Sequence, residues 1–274
     1  MNALPTGGSN PQNGAKAASG TLQSVGRALR VLEAIAASPC GISAKDLSTA
    51  LGLTLPTTYH LLTTLVEAGH VVHLTDKKVF ALGYKARYLG QALSRQLAVP
   101  SEIASSIRVV HQQADAAAYY AIYRDTEVVI AHVEDSDRRP RVQPLDVGFH
   151  QAVHATAFGK IMLSAMEAEQ RTQYLDQAGM DPCTPSTIRC RDGLEEHLTH
   201  VRQSQIALEI GEFQHGLACM AAPVYDPAGG VTASVAISLP IAEFRARRWS
   251  VERAVRQGAV RVTRSLALVG RSGA

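Results

Sequence analysis

The sequence has no apolar run approaching the roughly 20 residues that a membrane-crossing helix needs, which excludes a spanning segment of that kind. It has little cysteine: 4 residues, Cys40, Cys183, Cys190 and Cys219, with no CxxC pair. That scatter excludes a disulfide scaffold and a cysteine zinc framework, and it fits reduced thiols in a cytoplasmic protein. Aromatic residues make up 5% of the chain, and Met1 to Gly20 hold almost no bulky apolar side chain. This opening stretch lacks the apolar core of a signal peptide. Its Gly, Pro, Asn and Ser cannot bury enough surface to offset their ordering entropy, so residues 1–21 are expected to form a disordered tail. HExxH, P-loop and GxSxG signatures are absent. The histidines His111, His132, His197 and His200 lack the clustered spacing of a metal site.

What is there is a 274-residue chain, 46% hydrophobic, long enough for two ordinary domains. The net charge of +3 conceals a segregation. Residues 1–90 carry 8 Lys/Arg against 4 Asp/Glu, residues 91–240 carry 11 against 18, and residues 241–274 carry 8 against 2. A basic end joined to an acidic middle fits a protein of which one part touches a polyanion.

After the tail, Ser24 offers an N-cap, and Val25, Ala28, Leu29, Leu32, Ile35 and Ala36 recur at helical spacing. Pro39 and Gly41 close that helix. Ser43-Ala44-Lys45-Asp46 forms a capping box in which Asp46 reaches back to the cap, and Gly52 sits where a left-handed C-terminal residue belongs. Leu53 alone separates Gly52 from a new cap, Thr54. Pro56 falls in the first turn of the helix that follows, whose buried side is expected to be Leu61, Leu62, Leu65 and Val66. Two short helices joined this tightly are a helix-turn-helix. Val71–Leu74 and Val79–Leu82 flank Thr75-Asp76-Lys77-Lys78 as a basic hairpin, so the whole predicts a winged helix-turn-helix over 22–83.

A helical linker is expected over 84–100, then a helix from Pro100-Ser101 through Ala118. Strands Tyr119–Arg124 and Glu127–Val133, a helix Ala157–Ala165, and helices near 167–177 and 191–203 follow. Strands Leu217–Tyr225 and Val231–Leu239 precede a last helix from Ile241 to about Leu268. This predicts an α+β domain on an antiparallel sheet over 101–270. The last helix carries Arg245, Arg247, Arg248, Arg253, Arg256, Arg261 and Arg264 opposite an apolar side that covers the sheet.

Thr57, His60 and Thr64 lie on the polar side of the third helix, where Thr57 and His60 can reach base edges in a major groove and Tyr59 can touch sugar or phosphate. Thr54 and Thr58, at the start of that helix, are expected to contact DNA as well. Lys77, Lys78, Arg27 and Lys45, with Ser43, are placed to follow the backbone. A catalytic reading through Cys219 and His154 or His215 is disfavoured, because the Ala-rich, strand-like setting of Cys219 predicts an inert buried thiol.

The segments Gly52–Thr57, Leu61–Gly69 and Phe80-Ala81-Leu82-Gly83 resemble the DNA-binding domain of IclR-family transcription regulators. His154-Ala155-Thr156-Ala157-Phe158-Gly159-Lys160, Gly216–Pro223 and Ser234–Pro240 resemble that family's effector domain, so the likeness runs from about 22 to 268. The resemblance implies a GAF/profilin-like sensing domain, no cofactor, a palindromic double-stranded DNA operator, and a homodimer that in some members becomes a tetramer. It implies an effector cavity lined by Gln143, Gln151, Ala157, Phe158, Glu209, Leu217, Cys219, Ala236 and Ser238. A small organic acid is the expected occupant, with Phe158 either shrinking the cavity or offering a face to an aromatic one, and the amides of Ala157 to Gly159 favouring a carboxylate. The sequence departs from the family where a basic residue usually precedes the recognition helix and where an arginine opens an R-L-L triplet. Here those positions are Leu55 and His60. A second reading therefore keeps the sensing domain but takes the helix-turn-helix as degenerate, leaving a ligand-sensing interaction protein.

Overall fold

The computed structural model describes residues 22–124 and 126–272, so the expected tail over 1–21 lies outside the described residues. The chain forms two compact units, one ending at Gln91 and the other beginning at Ala92.

In the first unit, α1 (Gln23–Ala36), α2 (Ala44–Leu51) and α3 (Leu55–Glu67) precede the hairpin β1 (Val71–Leu74) and β2 (Val79–Leu82). Val31, Ile35, Leu47, Leu62, Leu65, Val71 and Phe80 form one core, each such side chain stabilising the unit by about 1.5–3 kcal/mol. Gly52 adopts φ 61°, and Leu53 N–H donates to Ser48 O at 2.9 Å, which closes α2 and turns the chain into α3. The hairpin is pinned to α3 through Gly83. Its N–H donates to His70 O at 2.8 Å, and a Cβ there would lie 2.4 Å from Gly69 O.

Three local expectations are corrected. α1 starts two residues earlier, with Leu22 as its cap and no side-chain capping bond, so Ser24 is helix interior and not a cap. Asp46 does not reach the Ser43 backbone. Its carboxylate accepts from the Ser43 hydroxyl at 2.7 Å, and its amide donates to that oxygen at 3.1 Å. The buried side of α3 runs through Thr58, Leu62 and Leu65, while Leu61 is half-buried and Val66 exposed.

α4 (Lys85–Gln96) and α5 (Ser101–Ala114) lead to a five-stranded antiparallel sheet made of β3 (Ala117–Arg124), β4 (Glu127–Glu134), β5 (Ala207–Ile210), β6 (Leu217–Tyr225) and β7 (Val231–Pro240). Its strand order is β4-β3-β7-β6-β5. α6 (Ala157–Ala165), α7 (Ala168–Ala178) and α8 (Arg191–Ser204) fall between β4 and β5, and α9 (Ile241–Ser272) closes the chain. One face of the sheet packs on α5 and α9 through Ile107, Val110, Ala254 and Val255. The other packs on α6 and α8 through Tyr119, Ala236, Phe158, Ile161 and Leu198. The fold is α+β with a winged helix-turn-helix ahead of an antiparallel-sheet domain.

α5 stops at Ala114, four residues before the expected end, because Asp115 turns left-handed at φ 45° and Ala117 and Ala118 enter the ladder opposite Ser238 and Ile237. α9 bends at Arg247, where φ −122° and ψ 17° leave the helical region. The Arg247 guanidinium donates to Ala114 O at 2.9 Å and Asp115 O at 3.3 Å, supplying partners for carbonyls that end α5. A Cβ on Gly258 would lie 2.2 Å from Val110 Cγ2, so the α5–α9 contact needs a glycine there. No helix among the described residues is long and apolar enough to cross a membrane.

Candidate nucleic-acid interface and ligand cavity

α3 is positioned by Thr54, whose hydroxyl accepts from Thr57 N–H at 3.3 Å, and by Pro56 in its first turn, where no amide is needed. Burying Leu62 and Leu65 turns Tyr59, His60, Thr63 and Thr64 outward, with Tyr59 51% exposed. Thr57 is half-buried, and its hydroxyl shares a hydrogen bond of 2.8 Å with Thr54. Thr64 donates back to His60 O at 3.0 Å. Thr58 is corrected: it is 0% exposed, and its hydroxyl donates to Thr54 O at 3.1 Å, so it faces the core and not a partner. Ser43 is half-buried and spent on capping α2.

Lys77 and Lys78 stand exposed at the hairpin tip, where Lys78 is left-handed at φ 54°. Lys45 is exposed and Arg27 half-buried. α3 itself contains no Lys or Arg, and Leu55 is exposed at its start. The cations around this surface therefore come from the wing, α1 and α2.

In the second unit, a rung of the sheet carries Glu209, Cys219, Ser238 and Ala117 side by side on β5, β6, β7 and β3. A cavity of about 450 Å³ opens over one end of this rung, between the sheet and the segment Arg138–Gln143. Gln143, Leu217 and Ser238, three of the residues named for the effector cavity, line it together with Gln214, Val142 and Leu239. Ser238 Oγ shares a hydrogen bond of 2.9 Å with Tyr119 Oη, which accepts from Val142 N–H at 3.2 Å. Burial pushes the Tyr119 phenol up to about 12, so it stays a neutral hydroxyl.

Arginine is plentiful at this rim but mostly satisfied. Arg139 donates to Asp115 at 2.7 Å and pairs with Glu243 at 2.9 Å. Arg141 pairs with Asp135 at 2.8 Å and also with Asp146. Arg138 is 80% exposed and 3.6 Å from Asp115, the loosest of these pairs.

Towards the other end of the rung the face is packed: Ala157, Phe158, Glu209, Cys219 and Ala236 are buried and do not line the cavity over Ser238. Glu209 Oε1 accepts from the amides of Glu212 and Phe213, and its Oε2 is buried without a partner. Desolvation raises the Glu209 carboxyl above its ordinary range. Lys160 is 0% exposed and pairs with Glu212, while burial draws its ammonium down against that attraction. Desolvation and the neighbouring Glu209 push the Cys219 thiol well up, as expected for an inert cysteine.

Two further expectations are corrected. Gln151 does not join the others: it lines a separate depression of about 270 Å³ with Glu127, His150 and Tyr174. The amide array at the start of α6 is partly spent, since Gly159 N–H donates to Thr156 Oγ1 at 3.3 Å, and the remaining residues are buried. Sequence reasoning missed Arg138, Arg139, Arg141 and Gln214 as lining residues. They lie on irregular segments without periodicity, so no pattern could place them over the sheet. Among the described residues no group of His, Cys, Asp and Glu could hold a metal ion.

Residues 24–74 match the model of the IclR helix-turn-helix domain, and residues 92–264 match that of the bacterial transcriptional regulator IclR C-terminal domain. The chain is 26% identical over 240 residues to the transcriptional repressor IclR of Escherichia coli K12, covering 86% of this chain and 87% of that one. It is 28% identical over 237 residues to the HTH-type transcriptional repressor AllR of Klebsiella pneumoniae, covering 86% and 85%. The fold matches IclR of Thermotoga maritima at a TM-score of 0.66 and 20% identity, over 89% of this chain and 99% of that one. It also matches an IclR homolog of Microbacterium hydrocarbonoxydans complexed with 4-hydroxybenzoate, at a TM-score of 0.65 and 20% identity over 89% and 98%. A winged helix-turn-helix joined to an antiparallel-sheet domain with a cavity over β3 and β7, matched along nearly the whole described chain, makes this protein a member of the IclR family of transcription regulators.

Proposed function

We propose that this regulator reads a palindromic operator in double-stranded DNA as a homodimer, and that a small organic acid in the cavity over Ser238 changes its operator affinity. The observation that carries the reading is the pairing of an outward-facing Tyr59–His60–Thr63–Thr64 surface on α3 with an open cavity in the other unit. Thr57 and His60 face base edges, Tyr59 and Thr64 the sugar–phosphate backbone, and Lys45, Lys77, Lys78 and Arg27 the flanking phosphates. With no Lys or Arg on α3, affinity leans on the wing and on the two-site arrangement of a dimer. Exposed Leu22 at the cap of α1, Val25 and Leu29 on α1, Tyr84 just before α4, and Tyr88 and Leu89 on α4 supply an apolar surface for pairing two copies.

Gln143, Gln214 and Ser238 offer polar groups to the acid, Arg138 offers charge, and Leu217, Val142 and Leu239 take its apolar body. The complex of the Microbacterium homolog with 4-hydroxybenzoate supports an aromatic acid of this size. Acid bound to one conformation shifts the equilibrium toward it, and a coupling of about 1–3 kcal/mol changes affinity roughly 5–150-fold. Mobility shift of the full chain with genomic fragments at rising salt, with and without a panel of small carboxylic acids that includes 4-hydroxybenzoate, tests this. Specific retention that one acid changes supports the reading. No retention at low salt overturns it in favour of a sensing protein that does not read DNA.

A further inference from the structure

We propose that residues 139–150 form a strap that transmits the state of the cavity to α4, with Gly148 and Leu93 as the positioning residues at its far end. The proposal rests on reading the cavity over Ser238 as the effector site and names how that site is coupled outward. One end of the strap is cavity wall: Arg139, Val142 and Gln143 line it, and Val142 N–H is held by the same Tyr119 hydroxyl that bonds Ser238. Anything that competes for Ser238 or Tyr119 therefore competes with the strap's own anchor. The middle is anchored by Leu145, which is buried in the same core cluster as Tyr119 and Phe158 and whose N–H donates to Val142 O at 2.7 Å.

The far end is fixed on two sides. Gly148 N–H donates to Ile130 O at 2.8 Å, and Ile130 N–H donates to Phe149 O at 2.9 Å, so this end adds to the outer edge of β4. Against it lies the last turn of α4. Gly148 holds φ 93°, a conformation that disfavours a side chain, and a Cβ on it would lie 3.0 Å from Leu93 Cδ2, so the backbone passes close against the leucine's terminal methyl. Arg124 ties the same turn down by donating to Gln96 O at 3.1 Å, and Leu97 is buried beneath it. A short strap held by the Tyr119 bond at one end and by the β4 edge at the other, with Leu145 buried between them, moves as a piece, because a packed core changes by discrete rearrangement rather than by stretching. α4 is one continuous helix from Lys85 to Gln96, so a shift of its last turn is carried to its first.

The test uses the full chain without added ligand and reads hydrogen exchange of the α4 amides. Tyr119→Phe removes the hydroxyl at the cavity end. Tyr225→Phe removes a more exposed tyrosine hydroxyl, whose partner is Gln205 and not a strap residue. Tyr119→Phe is expected to speed exchange at residues 93–97 by about threefold or more, and Tyr225→Phe to leave it unchanged. In a Leu93→Ala background, which breaks the contact without adding an atom, the response to Tyr119→Phe should vanish; Gly148→Ala should behave alike if it folds. Equal responses to the two tyrosine changes, no response, or a response that survives Leu93→Ala overturns the strap. No acid and no operator enter the experiment, so failure of the effector reading shows separately, in the mobility shifts.

Discussion

At the scale of single residues, close approach and burial decide what can change. A Cβ on Gly159 would lie 2.1 Å from Val153 O, where α6 leaves the 3-10 turn Val153–Ala155. Gly159→Ala should therefore lower stability by about 1–3 kcal/mol, read as a shift in urea midpoint at unchanged slope. His197 is a second marked residue, its pKa drawn down to about 4 mainly by burial. The unfolded chain binds a proton near 6.5 that the folded chain refuses until about 4, so this group's contribution is present above 6.5 and lost as pH falls through 4. Melting temperature should decline between pH 6.5 and 4, and His197→Gln should flatten that decline. Cys40, Cys183 and Cys190 are exposed and Cys219 is buried, so a thiol reagent should modify the first three in the folded chain, Cys183 more slowly because desolvation raises its thiol, and Cys219 only on unfolding.

Residues were legible in the sequence where local chemistry decides their place. Ser43, Gly52 and Thr54 do what their types and spacing imply, since caps and left-handed turns depend on neighbours within a few positions. Thr58 was misread because a threonine is polar by type, whereas the core of the first unit buries it at 0% exposure through contacts distant in sequence. The cavity was only partly legible. Gln143, Leu217 and Ser238 came from family likeness, but which of the other residues line open space depends on how tightly Phe158 and its neighbours pack.

At the scale of elements, the wing carries the charge that α3 lacks. If Lys77 and Lys78 contact phosphates, Lys77→Ala and Lys78→Ala should each weaken binding across sequences and reduce the slope of log K against log salt by about 1. Fluorescence anisotropy of a labelled duplex over a salt series measures it. Elements with strong period or clear punctuation were legible: the three helices of the first unit, its hairpin, and β6 and β7. β5 was not, because Ala207–Ile210 is only 4 residues long and follows α8 after two residues. The early end of α5 was equally hidden, since Ala116 to Ala118 suit a helix locally and are drawn into strand by pairing with β7.

At the scale of the whole molecule, family membership joins a reading head to a sensing domain. Each unit carries its own core, so ligand and DNA influence each other only through differential binding to conformations of the chain. Linkage makes that influence reciprocal: an acid that weakens operator binding tenfold must itself bind tenfold more weakly to the operator complex. The most direct measurement of the central claim is selection of bound duplexes from a random-sequence pool by the wild-type chain and by a Thr57→Ala, His60→Ala double variant. The account predicts that the wild type enriches an inverted repeat and that the variant loses it. Enrichment of nothing, or of the same repeat by both proteins, contradicts it.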